Sequence, residues 1–226
     1  LKSNKKIIKY FISLFCMILL CSCNSYEKDD TPYVNSEHEE YEFVTKADKL
    51  DSVIGGITDD KTRYVNYHFD LQFKLPPGWQ FTTDLDGLSA NEFINPDKVS
   101  DQLMSGHQYY TMAARGNDAR VVCIIQNLGV NEETKNYSTE DVLNYYKSLF
   151  DIVFGNYYGY GVIKSATFAG VDRSYVYYGI GKLAEIEIFP MREGDLVFTV
   201  LMISSDKVPI DQVHNLFEYF DEDERL

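Results

Sequence analysis

The chain has 226 residues, with 21 basic and 35 acidic side chains and a formal charge of −14 at neutral pH. A surface this acidic repels nucleic acid and anionic lipid headgroups, which removes DNA and RNA from the expected partners. The length suits one domain of ordinary size with a real core.

The amino terminus has a distinct layout. Lys2, Lys5, Lys6 and Lys9 form a basic head, Tyr10 to Leu20 is an almost unbroken apolar run, and Leu20-Cys21-Ser22-Cys23 closes it. This pattern reads as an export signal. The residues before Cys23 resemble a bacterial lipobox, which implies a diacylglycerol and palmitate anchor on the Cys23 thiol and removal of residues 1–22. As a membrane span the stretch is short, because Ile7 to Ser22 is 16 residues and a crossing needs about 20. Removal would take four lysines and no acid, moving the charge from −14 to −18. Of the four cysteines, Cys16 and Cys21 leave with the signal and Cys23 carries lipid, so only Cys123 stays as a thiol. Lying in Arg-Val-Val-Cys-Ile-Ile, Cys123 is expected as a small buried hydrophobe and not as a nucleophile.

Residues 23–52 read as an acidic tether holding Glu27, Asp29, Asp30, Glu37, Glu39, Glu40 and Glu42. They have too few apolar groups to offset the entropy of ordering. The domain proper is expected over residues 53–220, with an acidic tail over 221–226. Val53 to Thr58 reads as a short strand. Arg63 to His68 and Leu71 to Leu75 alternate as strands with one buried face. Pro76-Pro77-Gly78 ends the second of them, and Trp79, the only tryptophan, is expected to plug the end of the core. Asp84 to Asn91 and Pro96 to Leu103 are short helices, the latter capped by Asn95. Tyr109 to Ala114 and Arg120 to Asn127 form a hairpin, and the run Val121 to Ile125 predicts an interior strand covered on both faces.

The clearest helix starts at Ser138, with Asp141 three residues on as a capping box. Val142, Leu143, Tyr146, Leu149, Phe150 and Val153 make its apolar stripe. Val162 to Phe168 is a further strand. Residues 174–189 read as one strand interrupted near Gly179-Ile180-Gly181-Lys182. A turn over Pro190 to Gly194 precedes a last strand, Asp195 to Ser204. Pro209 opens a helix running to about Phe220. Tight turns between most strands predict an α+β fold, a mostly antiparallel sheet covered by helices.

Tyr64-Val65-Asn66-Tyr67-His68-Phe69-Asp70-Leu71-Gln72-Phe73-Lys74-Leu75-Pro76-Pro77-Gly78-Trp79 resembles the opening of the PsbP/Mog1-like superfamily, whose bacterial members often begin with an aromatic-rich strand ending in Pro-x-Gly-Trp. The likeness spans roughly residues 53–220 and implies an α/β/α sandwich. Many members are bacterial lipoproteins of unknown role, and the family supplies no shared catalytic residues to carry over.

No nucleophile elbow, phosphate loop or dinucleotide fingerprint occurs in the sequence. His38, His68, His107 and His214 lack zinc spacing. Asp84-Leu85-Asp86-Gly87 lacks the remaining ligands of a calcium loop. No catalytic, cofactor or metal residue is therefore expected. The one excess is tyrosine, with 18 residues. Tyr157, Tyr158 and Tyr160, in a glycine-rich stretch after a helix, are the expected recognition surface, since tyrosine offers rigid contact area with a polar handle.

The resulting expectation is an extracytoplasmic lipoprotein on the cell membrane, anchored in the bilayer through acylated Cys23, that binds a protein or small ligand or serves as an accessory subunit. The alternative is a cell-envelope hydrolase using dispersed carboxylates.

Overall fold

The computed structural model describes residues 53–83, 93–154 and 159–220. The expected lipid site at Cys23, the tether, the helix over Asp84 to Asn91 and the acidic tail lie outside the described residues. Among the described residues no helix is long and apolar enough to cross a membrane.

Two antiparallel sheets organise the domain. The smaller is built from β1 (Gly56–Ile57), β2 (Arg63–Asn66), β3 (Leu71–Lys74) and β11 (Phe217–Tyr219), in the order β1-β2-β3-β11. The larger contains β4 (Gln80–Phe81), β5 (Tyr109–Arg115), β6 (Ala119–Asn127), β7 (Gly159–Phe168), β8 (Val171–Ile180), β9 (Ala184–Glu193) and β10 (Leu196–Ser205), in the order β4-β5-β6-β10-β9-β8-β7. Helix α1 (Val99–Met104) follows a 3-10 turn over Pro96–Lys98, α2 spans Thr139–Phe154, and α3 spans Ile210–His214.

The last long strand is the centre of the large sheet. Every residue of β10 is buried, with β6 on one side and β9 on the other. Successive strand residues point to opposite faces, and the apolar run of β10 divides accordingly. Phe198, Val200 and Met202 join one core, while Val197, Leu201 and Ile203 join the other. In β6, Val121, Cys123 and Ile125 face the first core, and Val122 and Ile124 face the second. The expected interior strand is therefore present, and Cys123 is buried as a free thiol.

Helix α2 covers the second core. Its amino end carries the anticipated capping box: the Asp141 amide donates to Ser138 Oγ at 3.2 Å, and the Ser138 amide donates to Asp141 Oδ2 at 2.7 Å. The Ser138 hydroxyl also donates to Asp141 Oδ2 at 2.7 Å, and this bond first, with the Ser138 amide second, holds the Asp141 carboxyl below its ordinary range. Val142, Leu143, Tyr146, Leu149, Phe150 and Phe154 are its buried residues, and the Tyr146 hydroxyl reaches Thr199 of β10 at 3.3 Å.

The first core is closed mainly by the small sheet, through Tyr64, Leu71 and Phe73, and by Val99 and Leu103 of α1 and Ile210 and Val213 of α3. One face of the large sheet thus carries the long helix, and the other carries a second sheet with two short helices. The coarser expectation, an α+β fold of mostly antiparallel strands with helical cover, is what the strand order supports.

Four local expectations are corrected. Val53 and Ile54 end a helical turn, and only Gly56–Ile57 pair as strand. Residues 174–189 form two strands, with a turn at Gly181 to Leu183 and Ile180 opposite Ala184. The expected turn at Pro190 to Gly194 is mostly strand, because β9 runs to Glu193 with Pro190 opposite Thr199. Proline is tolerated there because the β8 pairing ends at Val176 opposite Ile188, leaving Pro190 with β10 as its ladder partner. Finally, the terminal helix stops at His214, and Phe217 to Tyr219 pair with β3 instead.

Candidate recognition edge and the His214–Glu187 pair

Strand β7 ends the large sheet. Its hairpin with β8 turns through Ala169 (φ 47) and Gly170 (φ 76), with Phe168 opposite Val171. Positive φ at both central residues is the geometry that matches the twist of paired strands. All ten residues of β7 pair with β8, and among the described residues no strand pairs with its other side. Val162, Ile163, Lys164 and Ser165 are exposed, with Val162 at 36% and Ile163 at 41%. A long edge of this kind presents unpaired backbone donors and acceptors. The opposite end of the sheet, β4, is only two residues long.

The sheet face behind this edge is polar and ordered across three strands. The Lys164 ammonium sits 3.7 Å from the centroid of the Tyr177 ring, a cation–π contact. The Tyr177 hydroxyl donates to Glu185 Oε1 at 2.6 Å. Two residues further along β9, and so on the same face, Glu187 is 5% exposed. Its partner comes from α3: His214 Nδ1 lies 3.2 Å from Glu187 Oε2, and His214 Nε2 lies 2.9 Å from the Thr167 carbonyl oxygen. Phe168 and Phe189 meet the imidazole edge-on at 5.2 and 5.1 Å. The hydrogen bond to Glu187 raises the His214 pKa above its ordinary value, against a smaller opposing effect of burial. Burial first, and the Glu187 charge second, push the Tyr175 hydroxyl up, and the Tyr175 ring stacks on Phe189 at 4.5 Å.

Of the expected recognition residues, Tyr157 and Tyr158 lie outside the described residues. Tyr160 stands in β7 opposite Gly179, so the tyrosine stretch leads directly into the edge strand. The other histidines do not join His214: His68 Nε2 is 3.4 Å from Glu193 Oε2, His107 is exposed between α1 and β5, and His38 is outside the described residues. Among the described residues no three His, Cys, Asp or Glu side chains gather as a metal site. Burial raises the Cys123 thiol well above its ordinary pKa, the opposite of an activated nucleophile. Sequence reasoning placed His214 on the last helix without a partner and passed over Glu187. The available signal was the acid inside Ile186-Glu187-Ile188-Phe189, flanked on both sides by isoleucine and two residues from Phe189 on its own face.

No known family model matches the chain, and no curated protein sequence matches it. The solution structure of the cyanobacterial PsbP, CyanoP, from Synechocystis sp. PCC 6803 is similar at 14% identity and a TM-score of 0.40, covering 70% of this chain and 91% of that one. A likeness this distant carries no argument about activity, and the architecture stands on the strand order given above.

Proposed function

We propose that this chain is a PsbP/Mog1-like lipoprotein on the extracytoplasmic face of the cell membrane, where it binds a protein partner as a recognition or accessory module. The single observation that carries the binding reading is the β7 edge, ten residues long, paired on one side and bearing Val162 and Ile163 exposed. The occupant it fits is an extended segment of an envelope protein, added as a further strand, with main-chain hydrogen bonds supplying affinity. The address rests on the basic head, the apolar run and Cys23. Nothing in this reading requires the acidic surface to approach nucleic acid. The hydrolase alternative would draw on Glu185 and Glu187, two carboxylates on one strand face. Glu185 accepts from Tyr177 and Glu187 is buried against His214, which favours a structural task for both.

Intact-mass analysis of the native protein extracted in detergent tests the address. The expected mass begins at Cys23 and includes a diacylglycerol. A mass that retains residues 1–22, or lacks lipid, contradicts it.

A further inference from the structure

We propose that His214 is a pH-dependent clasp that fastens the C-terminal segment, α3 and β11, to the edge of the large sheet.

The clasp stands on the hydrogen-bond geometry. Both ring nitrogens face acceptors, a carboxylate oxygen of β9 and a main-chain carbonyl of β7. Only the imidazolium carries two N–H donors; a neutral ring of either tautomer turns a lone pair toward one of these oxygens. The ring is 13% exposed and the Glu187 side chain 6% exposed, so water has little access to replace the bond to Glu187, while Thr167 is exposed.

The charged surroundings point the same way. Strand β9 contributes Glu187, α3 contributes Asp211, and both favour the protonated ring. Strand β8 contributes Tyr175, which also engages Glu187. Arg173 lies two residues before Tyr175 on the same strand face, and its electrostatic partner is Asp70 in the turn between β2 and β3. Strand β7 supplies the Thr167 carbonyl and the Phe168 ring edge.

The clasp adds a polar tie to a segment already held by apolar packing, since Ile210, Val213 and Phe217 are buried in the first core and Phe217 meets Phe168 at 5.1 Å. Helix α3 is five residues long, and β11 adds three residues to the small sheet beside β3. His214 ties this segment across to β7 and β9, beside the proposed recognition edge. Its folded pKa is raised, so the stabilisation is fully present below the unfolded value of about 6.5 and disappears as pH rises through the folded value. A pH rising through that folded value therefore loosens α3 and β11, while mildly acidic pH closes them.

The test is a ring-proton NMR titration of His214 combined with amide exchange of Phe217 to Tyr219, referenced to amides of β10 and corrected for intrinsic rates. The expected midpoint lies above about 6.5, and relative protection of Phe217 to Tyr219 falls about tenfold for each unit of pKa elevation between acidic and alkaline pH. His214→Gln abolishes that pH dependence. Glu187→Gln, which keeps the side-chain shape, lowers the His214 midpoint and guards against a His214→Gln chain that fails to fold. A midpoint at or below 6.5, a protection ratio flat with pH, or an unchanged dependence in His214→Gln overturns the proposal.

Discussion

The Tyr64 hydroxyl donates to the Ile54 carbonyl at 2.7 Å, and both residues are buried. The same hydroxyl lies 3.1 Å from Thr111 Oγ1 and accepts from Asn66 Nδ2 at 3.3 Å, while Asn66 Nδ2 also donates to the Val53 carbonyl at 3.0 Å. The start of the domain is thus laced to β2 and to the large sheet by one phenol and one amide. Tyr64→Phe leaves the Ile54 carbonyl without this donor and is expected to cost about 1–3 kcal/mol, measured as a shift in urea midpoint at constant m-value. Gly55→Ala is expected to cost more: Gly55 has φ +66, and an added Cβ would lie 2.5 Å from the Val65 carbonyl oxygen. A Tyr64→Phe protein as stable as the parent would show that this lacing contributes nothing.

Helix α2 separates packing from exposure along one element. Phe150 is fully buried against Phe154 and Tyr178, whereas Ile152 is 79% exposed. Phe150→Ala is expected to destabilise by about 3–5 kcal/mol, and Ile152→Ala to stay within about 0.5 kcal/mol. Chemical unfolding of both variants measures the contrast. Equal losses would mean that the helix does not dock on the face described.

The sequence carried some of this and hid the rest for identifiable reasons. The stripe of α2 and its Ser138–Asp141 box were legible because both are local and periodic. The interior position of β6 was legible because Val121 to Ile125 leave no room for a wet face. Tyr177 and Tyr178 were harder: with a second sheet over one face and α2 over the other, Tyr178 is buried and Tyr177 packs partly against the first core. Pro190 looked like a turn because its tolerance depends on β8 pairing ending first, a non-local fact. Val213, Leu216, Phe217 and Phe220 have helical spacing, yet pairing with β3 makes Phe217 to Tyr219 a strand. The His214–Glu187 pair joins residues 27 positions apart and has no spacing signature. The edge character of β7 follows from strand order alone, which hairpin patterns do not reveal.

Cys123 offers a probe of the core. The thiol is fully buried in β6 and its pKa is raised by burial. A soluble disulfide reagent added to the folded domain without residues 1–22 and with Cys23 replaced by serine should therefore label it only through unfolding. The expected result is negligible reaction at pH 8 in native buffer and one thiol per chain in denaturant. Rapid labelling of the native protein would show that β6 is accessible.

The most direct measurement for the binding reading is site-specific photo-crosslinking in the native membrane. A benzophenone amino acid at Ile163, on the β7 edge, is compared with one at Ile152, which is also exposed but lies on α2. Discrete higher-mass adducts are expected from Ile163, absent from Ile152 and reduced when Val162→Lys is added to the Ile163 probe. No adduct from Ile163, or the same adducts from both positions, would contradict the claim that the open edge of the large sheet is where this protein meets its partner.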